Sequence, residues 1–181
     1  MEIKPEIRYL KDMGNVFMDN KELSDNPPLY YMYRGLKEEN GLRYDITVIP
    51  PRIINNEYTK TKGHCHSTNH GELYIVLKGQ GIFLMQNENN AYFVKAKQGQ
   101  AVIIEPGYAH ITINPYKETL EMANWVSVNC ESDYKSIQEN KGAYYYYTLK
   151  GWVKNQNYKQ VPELKEKEPL NEIPKDLTFL K

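Results

Sequence analysis

The stretch Thr61-Lys62-Gly63-His64-Cys65-His66-Ser67-Thr68-Asn69-His70-Gly71-Glu72-Leu73-Tyr74-Ile75-Val76-Leu77-Lys78-Gly79-Gln80-Gly81 carries a β pattern and a metal-ligand pattern at once. Residues two apart in an extended chain share a face, so His64 and His66 project together while Cys65 points away. The same alternation puts Lys62 opposite Thr61 and Gly63. It sets Glu72 and Tyr74 on one face and Leu73, Ile75 and Leu77 on the other. Five residues separate His66 from Glu72, enough for a hairpin loop that returns the carboxylate beside the imidazoles. Two imidazoles and a carboxylate suit a first-row divalent metal such as Fe, Mn, Ni or Zn. His70 falls in the presumed loop and reads as a bystander, and Cys65 reads as a small residue packed outside the cluster.

On either side the chain reads as short β segments rich in Tyr, Ile, Val and Phe. Strands are expected at 29–34, 42–49, 72–78, 81–86, 91–95, 101–104, 110–114, 122–129 and 144–149. Turn signals separate them: Glu39-Asn40-Gly41, Lys78-Gly79-Gln80-Gly81, Asn87-Glu88-Asn89-Asn90 and Glu105-Pro106-Gly107. Many strands at short spacing, with no alternating amphipathic helices, predict a sandwich or barrel. The remaining histidine, His110, follows the tight turn Pro106-Gly107-Tyr108. Two Gly-punctuated blocks that each deliver His from a strand end are best explained by one shared site.

These two blocks resemble the cupin superfamily. The first cupin motif, His-x-His, a short gap, Glu, six residues and Gly, matches His64, His66, Glu72 and Gly79. The second matches Gly99, Glu105-Pro106-Gly107, His110 and Asn114. Glu105 stands where the motif has Pro, Tyr58 stands at a usual Gly, and the gap before Glu72 is slightly long. None of these departures removes a ligand. The resemblance implies an all-β double-stranded β-helix, a small β-barrel or jelly roll with short peripheral helices. It implies one divalent metal per subunit, with Fe2+ foremost and Mn2+, Ni2+ or Zn2+ also suited, held by His64, His66, Glu72 and His110.

Within the superfamily, Thr61-Lys62-Gly63-His64-Cys65-His66, Glu72-Leu73-Tyr74 and Leu77-Lys78-Gly79-Gln80-Gly81 resemble the cupin-type phosphoglucose isomerases of archaea and some bacteria, as does Pro106-Gly107-Tyr108-Ala109-His110. The likeness covers roughly residues 28–134. It implies an aldose–ketose isomerase acting on glucose 6-phosphate and fructose 6-phosphate, with Thr47, Thr61 and Gly63 holding the phosphate. Glu72 is then a ligand or the catalytic base, and Tyr74, on the same face, contacts the substrate. That family often supplies an aromatic or His contact after the second motif. Here residues 124–134 hold no His, leaving Trp125 or Tyr134 for the part. Another sugar-phosphate isomerase, such as a mannose-6-phosphate enzyme, an Fe-dependent cupin dioxygenase and a non-catalytic sugar-binding cupin are the competing readings.

Composition narrows the classes further. The 181 residues balance 23 basic against 23 acidic side chains, without the basic excess of a nucleic-acid or membrane-surface protein. A neutral chain leaves an anionic hexose phosphate to be held by local hydroxyls, amides and metal. Apolar runs reach only five residues, against about 20 for a membrane span, and the N-terminus lacks the apolar core of a secretory signal. Cys65 and Cys130 form no Cys-x-x-Cys pair, which together with the missing signal predicts a reduced, cytoplasmic protein. One domain over 1–181 is expected, with a core over about 28–134. Residues 1–26 carry a weak helical spacing at Ile7, Leu10 and Met13 that suits a short N-terminal helix or arm, and residues 132–140 predict a helical turn or two. The charged tail 154–181 is expected to lie along the barrel surface or a partner. A homodimer is expected, with the Tyr-rich segments 30–33 and 144–147 as interface or as strands of the core.

Overall fold

The computed structural model describes residues 4–19 and 25–181. Its largest sheet has six strands in the order Glu6–Tyr9, Pro28–Glu39, Leu42–Ile49, Leu120–Ser127, Glu72–Lys78 and Ala101–Ile104, every neighbouring pair antiparallel. A second sheet orders Ala109–Ile113, Gln80–Gln86, Ala91–Lys97 and Leu164–Lys167. These are the all-β architecture and jelly-roll arrangement expected, built from open sheets rather than one closed barrel. The main core joins the two: Tyr74, Val76 and Met122 from the first sheet cluster with Ile82, Leu84 and Phe93 from the second. Leu73, Ile75 and Leu77 form a separate cluster on the opposite face of their strand with Leu42, Ala101 and Leu180. Both faces of Glu72–Lys78 are therefore covered, so an unbroken apolar run sits beside one acidic residue.

The strand Pro28–Glu39 carries the irregularity that shapes the cavity. Tyr33 pairs with Ile46 and Lys37 with Tyr44, so Arg34, Gly35 and Leu36 stand against Asp45 alone. Gly35 sits at φ +65°, a left-handed conformation that glycine adopts without strain, and its N–H donates to Asp45 Oδ1 at 2.7 Å.

The periphery settles where each outer segment lies. Of the N-terminal helix or arm, the structure forms an arm: Glu6–Tyr9 is an edge strand followed by a 3-10 turn over Leu10–Met13, because backbone pairing with Tyr30–Met32 outweighs a weak helical spacing; part of that arm lies outside the described residues. Residues 132–140 divide into a short strand, Ser132–Asp133, and one helical turn, Lys135–Glu139. Thr61, Lys62 and Gly63 belong to no strand. The tail lies on this chain's own sheets. Leu164–Lys167 runs parallel to Ala91–Lys97, Leu170 and Ala101 exchange backbone hydrogen bonds, and Leu180 is fully buried. Tyr144, Tyr145 and Tyr146 are buried within the chain, as core strands would be. Tyr30 and Met32 are buried too, while Tyr31 and Tyr33 are half-buried.

One buried ion pair fixes the N-terminal segment. Lys60 pairs with Glu57 and donates to the Val16 carbonyl at 2.8 Å, while the other Glu57 oxygen accepts the Met18 N–H at 2.8 Å. The Lys60 ammonium faces the rings of Phe17 and Tyr146 at 4.8 and 5.0 Å. Burial pushes its pKa down, and Glu57 counters that.

Candidate metal centre and substrate cavity

Three separate pieces of chain bring the ligand candidates together. His64 bridges to His110 through reciprocal backbone hydrogen bonds, so the first motif is stitched to the strand of the second. Glu72 opens the next strand across the loop. One donor atom from each of His64, His66, Glu72 and His110 lies within 4.8 Å of all the others, and the last three residues are buried.

The orientation of the rings says what this cluster can hold. His66 Nδ1 lies 2.9 Å from the carbonyl of His70, and His110 Nδ1 lies 3.4 Å from that of Tyr108. In the neutral ring, donation from Nδ1 to a carbonyl leaves Nε2 as a lone pair, and both Nε2 atoms point at one Glu72 oxygen, at 3.3 and 3.1 Å. Neither contact has hydrogen-bond geometry, and that buried oxygen, Glu72 Oε2, has no hydrogen-bond partner. Electron-rich atoms facing one another out of water need a positive charge between them. Neighbouring ligands each about 2.0–2.2 Å from one ion stand about 3 Å apart, so the donor set fits a first-row divalent metal.

The titration shifts agree with that demand for charge. Burial alone would raise the Glu72 carboxyl, but the His110 and His66 imidazoles overcome it and hold it well below the usual carboxylate range. Burial opposes a charged His66, yet the neighbouring Cys130 side chain and the facing Glu72 carboxylate outweigh it and raise the ring to about 11. Burial and the neighbouring His110 push His64 well down.

A cavity opens beside the cluster, lined by the expected Thr47, Thr61, Gly63 and Tyr74. Tyr74 is buried, and its hydroxyl lies 3.5 Å from His110 Nε2. Burial and the Glu72 charge hold that phenol well above its ordinary pKa, so it stays a donor. Thr61 Oγ1 accepts the Thr112 N–H at 3.0 Å, which leaves its own proton free to donate. Gly63 sits at φ +82°, and a Cβ there would lie 2.4 Å from Ile111 Cγ1. Gly63→Ala is therefore expected to cost about 2–3 kcal/mol and to displace His64, seen as a lower Tm together with weakened metal retention.

Other placements depart from the sequence reading. Lys62 lines the same cavity as Thr61 and Gly63; none of the three lies in a strand, so strand alternation does not set its direction. Arg34 and Arg43 also line the cavity, so hydroxyls, amides and metal are not its only means of meeting an anion. Of the two aromatic candidates, Tyr134 lines it, 5.5 Å from the His64 ring. Trp125 packs on the outer face against Tyr44. The His70 ring bonds to Thr68 at 2.6 Å, while its backbone carbonyl orients His66. That second contact leaves no trace in side-chain identity. Cys65 packs against the core and lines a separate groove with Tyr144.

The fold and the site together define the chain as a cupin. A solved oxalate oxidase shares the fold alone, with a TM-score of 0.50 and 16% identity, over 66% of this chain and 63% of that one. The model of the glucose-6-phosphate isomerase (GPI) family matches residues 8–163. Glucose-6-phosphate isomerases of Thermococcus litoralis and Pyrococcus furiosus are each 32% identical over 145 residues, spanning 75% of this chain and 76% and 77% of theirs. The chain belongs to the glucose-6-phosphate isomerase family, a family of aldose–ketose isomerases. No helix among the described residues is long and apolar enough to cross a membrane.

Proposed function

We propose that this chain is a metal-dependent isomerase that interconverts glucose 6-phosphate and fructose 6-phosphate, holding one Fe2+ per subunit through His64, His66, Glu72 and His110. The observation that carries the reading is the convergence of two imidazole lone pairs on the unpartnered Glu72 oxygen, at the floor of a polar cavity. A bound divalent ion would polarise the carbonyl at C1 or C2 of the open-chain sugar as a Lewis acid. Tyr74 donates its hydroxyl to a sugar oxygen, and Thr47, Thr61 and the Gly63 backbone hold the phosphate. Glu72 either serves only as a ligand, with hydrogen passing directly as hydride, or moves a proton between C1 and C2 as a base. Product formed in deuterated water separates the two routes: no incorporated deuterium sinks the base.

The cavity lining favours this over a dioxygenase, which calls for an apolar or aromatic pocket. Arg34, Arg43, Lys62, Thr47 and Asn124 make this one polar. The free thiols Cys65 and Cys130 suit a reducing cytoplasm, and the half-buried Tyr31 and Tyr33 supply a face for a homodimer.

A coupled assay with fructose 6-phosphate on metal-reconstituted protein tests the claim. Turnover should vanish with chelator and return with Fe2+, Ni2+ or Mn2+. Protein that binds metal yet isomerises no hexose phosphate would end the proposal.

A further inference from the structure

The row Tyr30, Met32, Arg34 runs along the cavity face of one strand, and the bulge at Gly35 ends the row at Arg34. Asp45, only 2% exposed, organises this corner. Its carboxylate accepts the Gly35 N–H at 2.7 Å and both oxygens accept Arg43 Nε at 3.0 Å, while Oδ2 lies 3.6 Å from Arg34 Nη1. One carboxylate thus faces two guanidiniums, and a full positive charge is left over. Other acids do little to cancel it. Glu6 reaches Arg34 Nε only at 3.5 Å with its side chain 62% exposed, where screening is strong. Lys62 is a further cation: its ammonium donates to the backbone carbonyl of Asp12 at 2.9 Å, and the Asp12 carboxylate offsets part of its charge. Among the described residues the cavity lining therefore holds Arg34, Arg43 and Lys62 against a single acid, Glu72. Glu72 itself belongs to the proposed metal cluster.

We propose that Arg34, placed by the bulge and steadied through Asp45, binds the phosphate group of the sugar substrate and thereby sets specificity for phosphorylated hexoses. The claim rests on the isomerase reading and names a residue for its anionic end. A guanidinium offers planar paired donors that match two phosphate oxygens, which a threonine hydroxyl cannot do. Asp45 is a positioning residue: it fixes the guanidinium through the bulge and does not touch the substrate.

The test compares the wild type with Arg34→Ala, Arg34→Gln and Arg34→Lys as full-length, metal-loaded proteins. Calorimetric titration with inorganic phosphate is run beside kinetics on fructose 6-phosphate. Expected for Arg34→Ala and Arg34→Gln is a weakening of phosphate binding, and a rise in KM for fructose 6-phosphate, of about 10- to 100-fold each. Metal content and circular dichroism should stay unchanged, kcat should fall less than KM rises, and Lys should restore part of the loss. Unaltered phosphate affinity in a folded, metal-containing Arg34→Gln protein would overturn the proposal. So would weakened binding of inorganic phosphate with an unaltered KM, because the site would then serve free anion rather than the ester. A wild type that binds phosphate through Arg34 but isomerises nothing would refute the isomerase reading and leave the anion site standing.

Discussion

Alanine at His64 or at His110 is expected to empty the metal centre and to remove turnover, by about 1000-fold or more. The two residues belong to different motifs but are joined backbone to backbone, and their rings lie 4.4 Å apart between centroids. Loss of either leaves three donors, one of them a buried carboxylate whose oxygen has no hydrogen-bond partner among the described residues. Lewis-acid stabilisation is worth several kcal/mol, and about 4 kcal/mol corresponds to roughly 1000-fold in rate. Metal content after reconstitution and dialysis should fall well below one ion per chain in both variants. His70→Ala supplies the contrast. Its backbone carbonyl holds His66 whatever the side chain, so that variant should retain most of its metal. Full metal occupancy in His64→Ala or His110→Ala would refute the ligand set.

The largest loss of stability is expected from Lys60→Met. Its ammonium is buried against Glu57, and the Glu57 carboxylate in turn holds the Met18 N–H. Without the lysine, a carboxylate 1% exposed is left with one backbone donor, the Met18 N–H, from these contacts. Breaking a buried pair in this way costs about 3–5 kcal/mol, which for a chain of this size lowers Tm by roughly 6–20 °C. The double variant Lys60→Met with Glu57→Gln should recover part of that loss, because no buried charge is then stranded. Thermal denaturation of both proteins decides the matter, and a single variant as stable as the wild type would show the pair to be dispensable.

Local chemistry made much of this molecule readable before its coordinates. Strands bounded by Gly, Asn and Pro, and the faces of Glu72–Lys78, follow from period-two alternation within one extended segment. The His-x-His spacing works for the same reason. What escaped depends on backbone geometry or on distant partners. The placement of Lys62 escaped because residues 61–63 lie in no strand, so period-two alternation does not apply to them. Arg34 went unnoticed because its neighbours read as a plain strand, whereas its role comes from a carboxylate on the adjoining strand. The Ser132–Asp133 pairing with Cys65–His66 and the N-terminal edge strand are likewise set by tertiary partners rather than local propensity.

The parallel pairing of Leu164–Lys167 with Ala91–Lys97 has a consequence for biosynthesis. Its residues lie just past the span matched by the family model. The closing strand leaves the ribosome about 70 residues after its partner, a delay of roughly 4–14 s at typical elongation rates. Throughout that interval one edge of the second sheet is bare, with unpaired amides and carbonyls beside Tyr92, Phe93 and Val94. A nascent chain halted before residue 164 would thus be sticky in a way the finished chain is not, and the three charged residues Lys165, Glu166 and Lys167 on the last strand mark where that danger ends.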